Sequence, residues 1–581
     1  MTNLELIQDQ KSNKVIKDAI NTAIKYHSEG NLKQASQIYE EILKIDSQNS
    51  IVLHLKGVIA FQCGKNDQAI ALIAKSIVIN PDYSEAYNNL GNVFKVQKKL
   101  QQALVCFEKA IKLNPDYSEA YNNLGIVFFE NKQIESAILF CKKAISLNPN
   151  YSEAYFNIGN FLKKQKLIDD AIYFYNQAIS INPNYIEAIM NLANCFFEIG
   201  DYDDAITNYQ KLIRINPNIP ESFLNIGLIM IGKGKLESSI IYLEKSLKLN
   251  PKLSLAHFNL GNVYKELDNY ETAIKYYNLA IDVSPKNVNA YINKALIYKN
   301  LDDFDNAVQM LEKALTIQPN GDNEDIHNHI LHCYFFKGDI SKFSEKLNNL
   351  IKSGYNNALM GSLCSRANIK YDLDRTNPFC KYPMKYITTK QLGNEYDFYK
   401  IFVKNIENII NNQKKYHSTV IDFNKANFIN GHQTLGNIFL NVEESVLQIK
   451  KVILKEVEEY KNIFKNSDEP FIQNWPTQIE LNGWVVQMRS GGSIRPHMHN
   501  KGWLSGSIYI NVPKLMKKNE GNLGLCIEEK NNIKNKDEFE EKIINVETGT
   551  LCLFPSSLLH YSFPFVSNEN RIVLAFDLVR K

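Results

Sequence analysis

Two histidines, His497 and His499, stand two residues apart in the segment RPHMHNKGW. On a strand, residues i and i+2 share a face, so both imidazoles can meet one metal ion while Met498 points away. A third histidine, His560, lies at or near another predicted strand in FPSSLLHYSFPF, and Arg571 opens the last apolar run eleven residues later. Between them, Ser505, Ser507 and Tyr509 alternate on one strand face, equally suited to lining a pocket or to ordinary barrel packing. A second histidine group, His327, His329 and His332 in IHNHILH, has helical spacing, and packing is the favoured reading there.

The elements that must position the first group are short. From residue 479 the chain reads as apolar runs split by Gly, Asn and Pro: IELNGWVVQM, WLSGSIYINVP, NLGLCIEE, GTLCLFP and RIVLAFDLV. These predict strands of an all-β unit. The segments PHMH, LSGSIYINVP, GTLCLFPSSLLHYSFPF and RIVLAFDL resemble the 2-oxoglutarate- and Fe(II)-dependent oxygenase superfamily over roughly residues 478–581. The resemblance implies a double-stranded β-helix, or jelly roll. It also implies Fe(II) held by His497, His499 and His560, and 2-oxoglutarate as cosubstrate, its distal carboxylate on Arg571. Two positions depart from the family pattern. Most relatives carry Asp or Glu where this chain has His499, and many have a hydroxyl where it has Val573. Three neutral imidazoles still hold Fe(II) on one face, but they leave more net positive charge at the metal.

The first half of the chain is a repeat. Prolines 81, 115, 149, 183, 217, 251, 285 and 319 are each 34 residues apart. Small residues keep the same phase, at Gly91, Gly125, Gly159, Ala193, Gly227, Gly261 and Ala295, and again at Ala103, Ala137, Ala171, Ala205, Ser239, Ala273 and Ala307. Small residues let paired helices approach, and each proline stops a helix before the next unit begins. Over roughly residues 14–335 this resembles the tetratricopeptide repeat, with a degenerate last unit. Two residues before the first small position stands an asparagine in seven successive units: Asn89, Asn123, Asn157, Asn191, Asn225, Asn259 and Asn293. The ladder is similar to that of the O-linked N-acetylglucosamine transferase repeats, and the resemblance implies a groove in which carboxamides grip the backbone of a protein or peptide partner. The other reading is inherited consensus that bonds only neighbouring helices. The tyrosines of the repeated PDYSEAY segment, such as Tyr83 and Tyr117, are expected to pack between units.

The domain plan is therefore a repeat solenoid over 14–338, a connector over 339–395, and an oxygenase-like domain over 396–581 with its β core at about 478–581. Helices are expected over 395–412 and 438–465, flanking the barrel. With 581 residues the chain exceeds a single core. The net charge, 66 − 63 = +3, excludes a polybasic nucleic-acid binder. Nine scattered cysteines without a CxxC pair read as reduced thiols, and no apolar run reaches membrane-spanning length. The expectation is a cytoplasmic dioxygenase whose repeats recruit a protein substrate, with neither nucleic acid nor membrane as partner. The alternative is an interaction scaffold with an inactive or cupin-like metal-binding barrel. A glycosyltransferase is disfavoured, because the C-terminal region is short and lacks a doubly wound nucleotide-binding pattern.

Overall fold

The computed structural model describes residues 3–321, 323–373, 375–411, 428–434, 436–440, 443–514, 519–529 and 540–581. It divides into two compact units, Met1–Ile229 and Met230–Lys581.

In the first unit the 34-residue period becomes a helix pair per repeat, for example Ser84–Val96 with Leu100–Leu113 and Ser152–Lys164 with Ile168–Ile181. The small positions decide how closely each pair packs. A Cβ built on Gly91 would stand 2.7 Å from the Phe107 ring, and one on Gly159 would stand 2.6 Å from the Tyr175 ring. Ala103, Ala137, Ala171 and Ala205 on the second helices are fully buried. The tyrosines do pack between units: Tyr83 reaches back to the His54 ring, with 2.9 Å between its hydroxyl and Nδ1.

In the second unit the same pairs continue to Phe304–Ile317. Three further helices, Glu324–Lys337, Ile340–Lys352 and Ala358–Tyr371, share a core of Leu331, Phe335, Phe343, Leu347 and Leu363. Helical packing thus runs past residue 338 into the stretch read from sequence as connector.

Among the described residues the β region forms one antiparallel sheet of nine strands: β1 (Thr388–Gln391), β2 (Phe428–Gln433), β3 (Ile479–His497), β4 (Gly502–Asn511), β5 (Leu523–Cys526), β6 (Glu541–Ile544), β7 (Thr550–Pro555), β8 (Leu559–Ser562) and β9 (Arg571–Arg580). The order is β1-β7-β4-β9-β3-β8-β5-β6, with β2 pairing β3. The five apolar runs of the sequence are β3, β4, β5, β7 and β9. Strands β1 and β2 come from upstream of residue 478, and their sequences TTKQ and FINGHQ carry no apolar alternation to announce them. Helices Lys404–Asn411 and Glu444–Ile463 flank the sheet within the expected ranges; residue 412 lies outside the described residues.

The period of two along β4 and β9 sorts their residues onto two faces. Leu504, Ile508, Leu574, Phe576 and Leu578 join Ile406, Ile409, Ile449 and Val457 of the flanking helices in one core. Tyr509 and Val573 join Val486, Met488, Leu525 and Phe554 in the other. The second face carries the candidate site.

Candidate metal centre

His497 is the last residue of β3 and pairs in register with His560 of β8. Their ring centroids lie 4.2 Å apart, and that of His499, just beyond the strand, lies 5.2 Å from His497 and 4.7 Å from His560. One ligand atom from each of the three lies within 4.8 Å of the others. The rings converge, but not by the i, i+2 strand rule: β3 ends at His497, His499 lies beyond it, and Met498, expected to point away, lines the same cavity.

Hydrogen bonds orient two of the rings. Nδ1 of His497 lies 2.9 Å from the Arg495 carbonyl, which can only accept, so Nδ1 carries the proton and Nε2 keeps its lone pair. Nδ1 of His499 lies 2.8 Å from Oδ1 of Asp577, with the same consequence. His560 is held by packing, and its buried Nδ1 has no hydrogen-bond partner among the described residues. Burial, reinforced by the neighbouring His499, pulls the His497 pKa down to about 4; burial with both neighbours holds His560 well below the usual value. His497 and His560 are thus kept as neutral donors, the form a cation needs. The edge of Trp484 closes on His499, with ring centroids 5.2 Å apart.

A cavity of about 320 Å³ opens in front of the three rings, lined also by Trp484, Met488, Ser507, Tyr509, Arg571 and Val573. Ser507 and Tyr509 thus line the pocket, while Ser505 lies further along the strand and donates to Asp577 at 2.7 Å. Arg571 is 2% exposed and lies over the Tyr509 ring, 5.1 Å from its centroid. Its Nε has no partner among the described residues, its Nη1 meets the soft sulfur of Met488 at 3.7 Å, and the Tyr509 hydroxyl also meets the guanidinium. Burial lowers the guanidinium pKa, with Tyr509 opposing the shift. A buried cation facing a cavity without a carboxylate is costly unless an anion arrives.

Both observations fit the groups that the resemblance implies. Three converging imidazoles suit a borderline divalent metal, and a buried guanidinium with no carboxylate partner among the described residues suits a carboxylate. Residues 482–577 match the family described as Putative 2OG-Fe(II) oxygenase, and tetratricopeptide-repeat families match from 84 to 320, including 84–117, 118–151, 152–185 and 254–287. The chain thus carries tetratricopeptide repeats and, over 482–577, a region that matches that oxygenase family. Among solved structures, the repeat protein is similar to YrrB, a TPR protein with an unusual peptide-binding site (23% identity, 32% of this chain and 95% of that chain, TM-score 0.28). It is also similar to MamA (27% identity, 28% and 95%, TM-score 0.27) and to PilW, a widely conserved type IV pilus biogenesis factor (21% identity, 35% and 94%, TM-score 0.33). None of the curated proteins matches it. Among the described residues, no helix is long and apolar enough to cross a membrane.

The asparagine ladder of this repeat protein is engaged with its own neighbours. The amide nitrogens of Asn123 and Asn157 donate to Oδ1 of Asn88 and Asn122, at 3.1 and 2.9 Å, and that of Asn89 donates to the His54 ring at 2.8 Å. Further along, Asn191, Asn225 and Asn293 donate to Oδ1 of Asn160, Asn194 and Asn262 at 2.8, 3.3 and 2.8 Å. Those acceptors also receive the hydroxyls of buried Tyr175, Tyr209 and Tyr277. Asn259 differs: position 228, where such an acceptor would stand, is leucine, and its amide turns to the Leu255 carbonyl of its own helix. Apart from Asn259, the ladder is thus a set of links between successive repeats, and Asn123 is engaged at both ends, its Oδ1 accepting from Nζ of Lys95 at 3.1 Å.

His327, His329 and His332 are absorbed by packing, as expected. His332 stacks on Phe336 and His327 sits edge-on to Tyr355. The residue that sequence reasoning missed is Asp577. It lies on the β9 face that already carries Arg571, Val573 and Ala575, and that alternation was the available signal.

Proposed function

We propose that this repeat protein is a 2-oxoglutarate- and Fe(II)-dependent dioxygenase acting on a protein or peptide substrate. The repeats at 14–338 recruit that substrate, 339–395 connects, and 396–581 oxidises. The observation that carries the reading is one cavity holding both three converging imidazoles and a buried guanidinium without an anion. Nε2 of His497 and of His499, together with the His560 ring, would hold the metal. Arg571 would pair with the distal carboxylate of 2-oxoglutarate, and the Tyr509 ring beneath it keeps the guanidinium aimed into the cavity. Val486, Met488 and Val573 keep water from that ion pair, which strengthens it. Bound Fe(II) with 2-oxoglutarate supplies oxidation by O₂, inserting one oxygen atom into a substrate C–H bond and releasing succinate and CO₂. Recruitment rests on the repeat fold. The test is release of labelled succinate from purified protein supplied with Fe(II) and 2-oxoglutarate, followed by mass spectrometry of the proteins it captures for a 16 Da gain. Metal binding without 2-oxoglutarate binding or turnover would instead favour a metal-binding scaffold.

A further inference from the structure

Asp577 lies in the wall of the barrel, 7% exposed, opposite Ser505 in the β4–β9 register. Its Oδ1 accepts from Nδ1 of His499 at 2.8 Å and from the Ser505 hydroxyl at 2.7 Å. Ser505 in turn lies 2.8 Å from the Ser556 hydroxyl. The nearest glycine is shaped around the group: a Cβ on Gly502 would come within 2.4 Å of the Ser556 hydroxyl and 3.2 Å of Asp577 Oδ1. His499 is the only cationic or potentially cationic side chain paired with Asp577 among the described residues. A buried carboxylate needs a positive counterpart, and an imidazole N–H dipole supplies only part of one. The rest is available at the His499 ring itself, whose centroid lies 5.2 Å from that of His497 and 4.7 Å from that of His560.

From this geometry we propose that Asp577 is a positioning residue for the metal centre, supplying through His499 the negative charge that a three-histidine set lacks. The inference rests on the metal-binding reading above. The hydrogen bond fixes the His499 tautomer, holds the ring toward the metal and makes Nε2 a stronger donor. Carboxylate and imidazole together do the work that a directly bound Asp or Glu does elsewhere, with the charge moved one ring outward. The Ser505–Ser556 pair fixes the rotamer of the carboxylate, so its second function is orientation of Asp577 itself.

The probe is Co(II), titrated into the full-length chain and followed by its visible absorption. Asp577→Asn, which keeps the shape and loses the charge, should weaken Co(II) about 10- to 100-fold and change the absorption envelope. Ser505→Ala should shift affinity by less than about threefold, because the His499–Asp577 bond survives. His499→Asp alone places a carboxylate against Asp577 and should bind poorly, whereas His499→Asp combined with Asp577→Asn should recover much of the loss. In the metal-free wild-type chain, ¹⁵N-labelled histidine spectra should show His499 protonated at Nδ1, a readout independent of how any variant folds. Protonation at Nε2, or an Asp577→Asn affinity within twofold of wild type, would overturn the proposal. If His499→Ala keeps wild-type affinity, the three-histidine reading itself falls and takes the proposal with it.

Discussion

His497 and His560 face each other across the antiparallel β3–β8 pair, 63 residues apart in sequence and 4.2 Å apart between ring centroids. Leu525 of β5 pairs with His560 on its other side, so the ring is held between two strands. The centre therefore depends on sheet register. A one-residue slip of β8 would turn His560 away from the cavity.

Arg571 should be a liability to the empty fold and necessary to the filled one. Arg571→Met removes a buried charge without an anion and should leave metal binding intact, with a thermal midpoint equal to or above wild type. The variant should lose the stabilisation that 2-oxoglutarate gives the metal-loaded protein, about 2.7 kcal/mol at a ligand concentration 100 times Kd. Differential scanning calorimetry with and without the acid checks both halves.

The ladder should behave as structure before it behaves as recognition. Asn191→Ala deletes the bond to Asn160 and should cost about 0.5–1.5 kcal/mol in urea unfolding followed by circular dichroism. Asn259→Ala should cost less, since its amide makes only a bond within its own helix. Equal losses at both positions would show that the links between repeats carry no stability. Asn259→Ala is also the cleaner substitution for testing partner capture.

Stability of the first repeats should fall in mild acid. Burial holds His54 at about 4, below its ordinary 6.5, so the unfolded chain takes up the proton first. Stability from this group is complete above about pH 6.5, declines as pH falls, and levels off near pH 4. His54 occupies the register position of Asn88 and Asn122. His54→Asn should therefore keep an acceptor for Asn89 and flatten the decline, measured as urea midpoints between pH 7 and 4.5.

A buried ion pair ties the last helix of the stack to the barrel. Nε and Nη2 of Arg366 donate to the two carboxylate oxygens of Glu528 at 2.7 and 2.8 Å, with the guanidinium against the Phe335 and Phe336 rings. Glu528→Ala should cost about 3–5 kcal/mol by stranding the guanidinium, while replacing both partners with Met should cost far less. Denaturant unfolding of the single and double variants measures the difference.

The repeat half was legible because its information is local and periodic. One proline and two small residues per 34 positions determine helix length, helix contact and phase, and Gly91 against Phe107 shows the contact that results. The strands that bear His497 and Arg571 were legible as apolar runs, while His560 was legible only as lying at or near a strand. Strands β1, β2 and β6 were not, because TTKQ, FINGHQ and EKII gain their pairing only from a sheet already present.

By itself, the sequence determined the residue types at the centre: three imidazoles that can share a metal, and an arginine opening the strand whose alternation leads on to Asp577. Which of these groups meet was decided only by the tertiary structure. Spacing states which face a residue takes on its own strand. It does not state which strand lies beside it, and the bond from His499 to Asp577 spans 78 residues and rests on the pairing of β9 with β3 and β4. The asparagines show the same division. Their period determined that they form a line, but whether a carboxamide meets a partner or the next repeat depends on the rotation of one helix pair against another, and here that rotation brings Asn160 within 2.8 Å of Asn191.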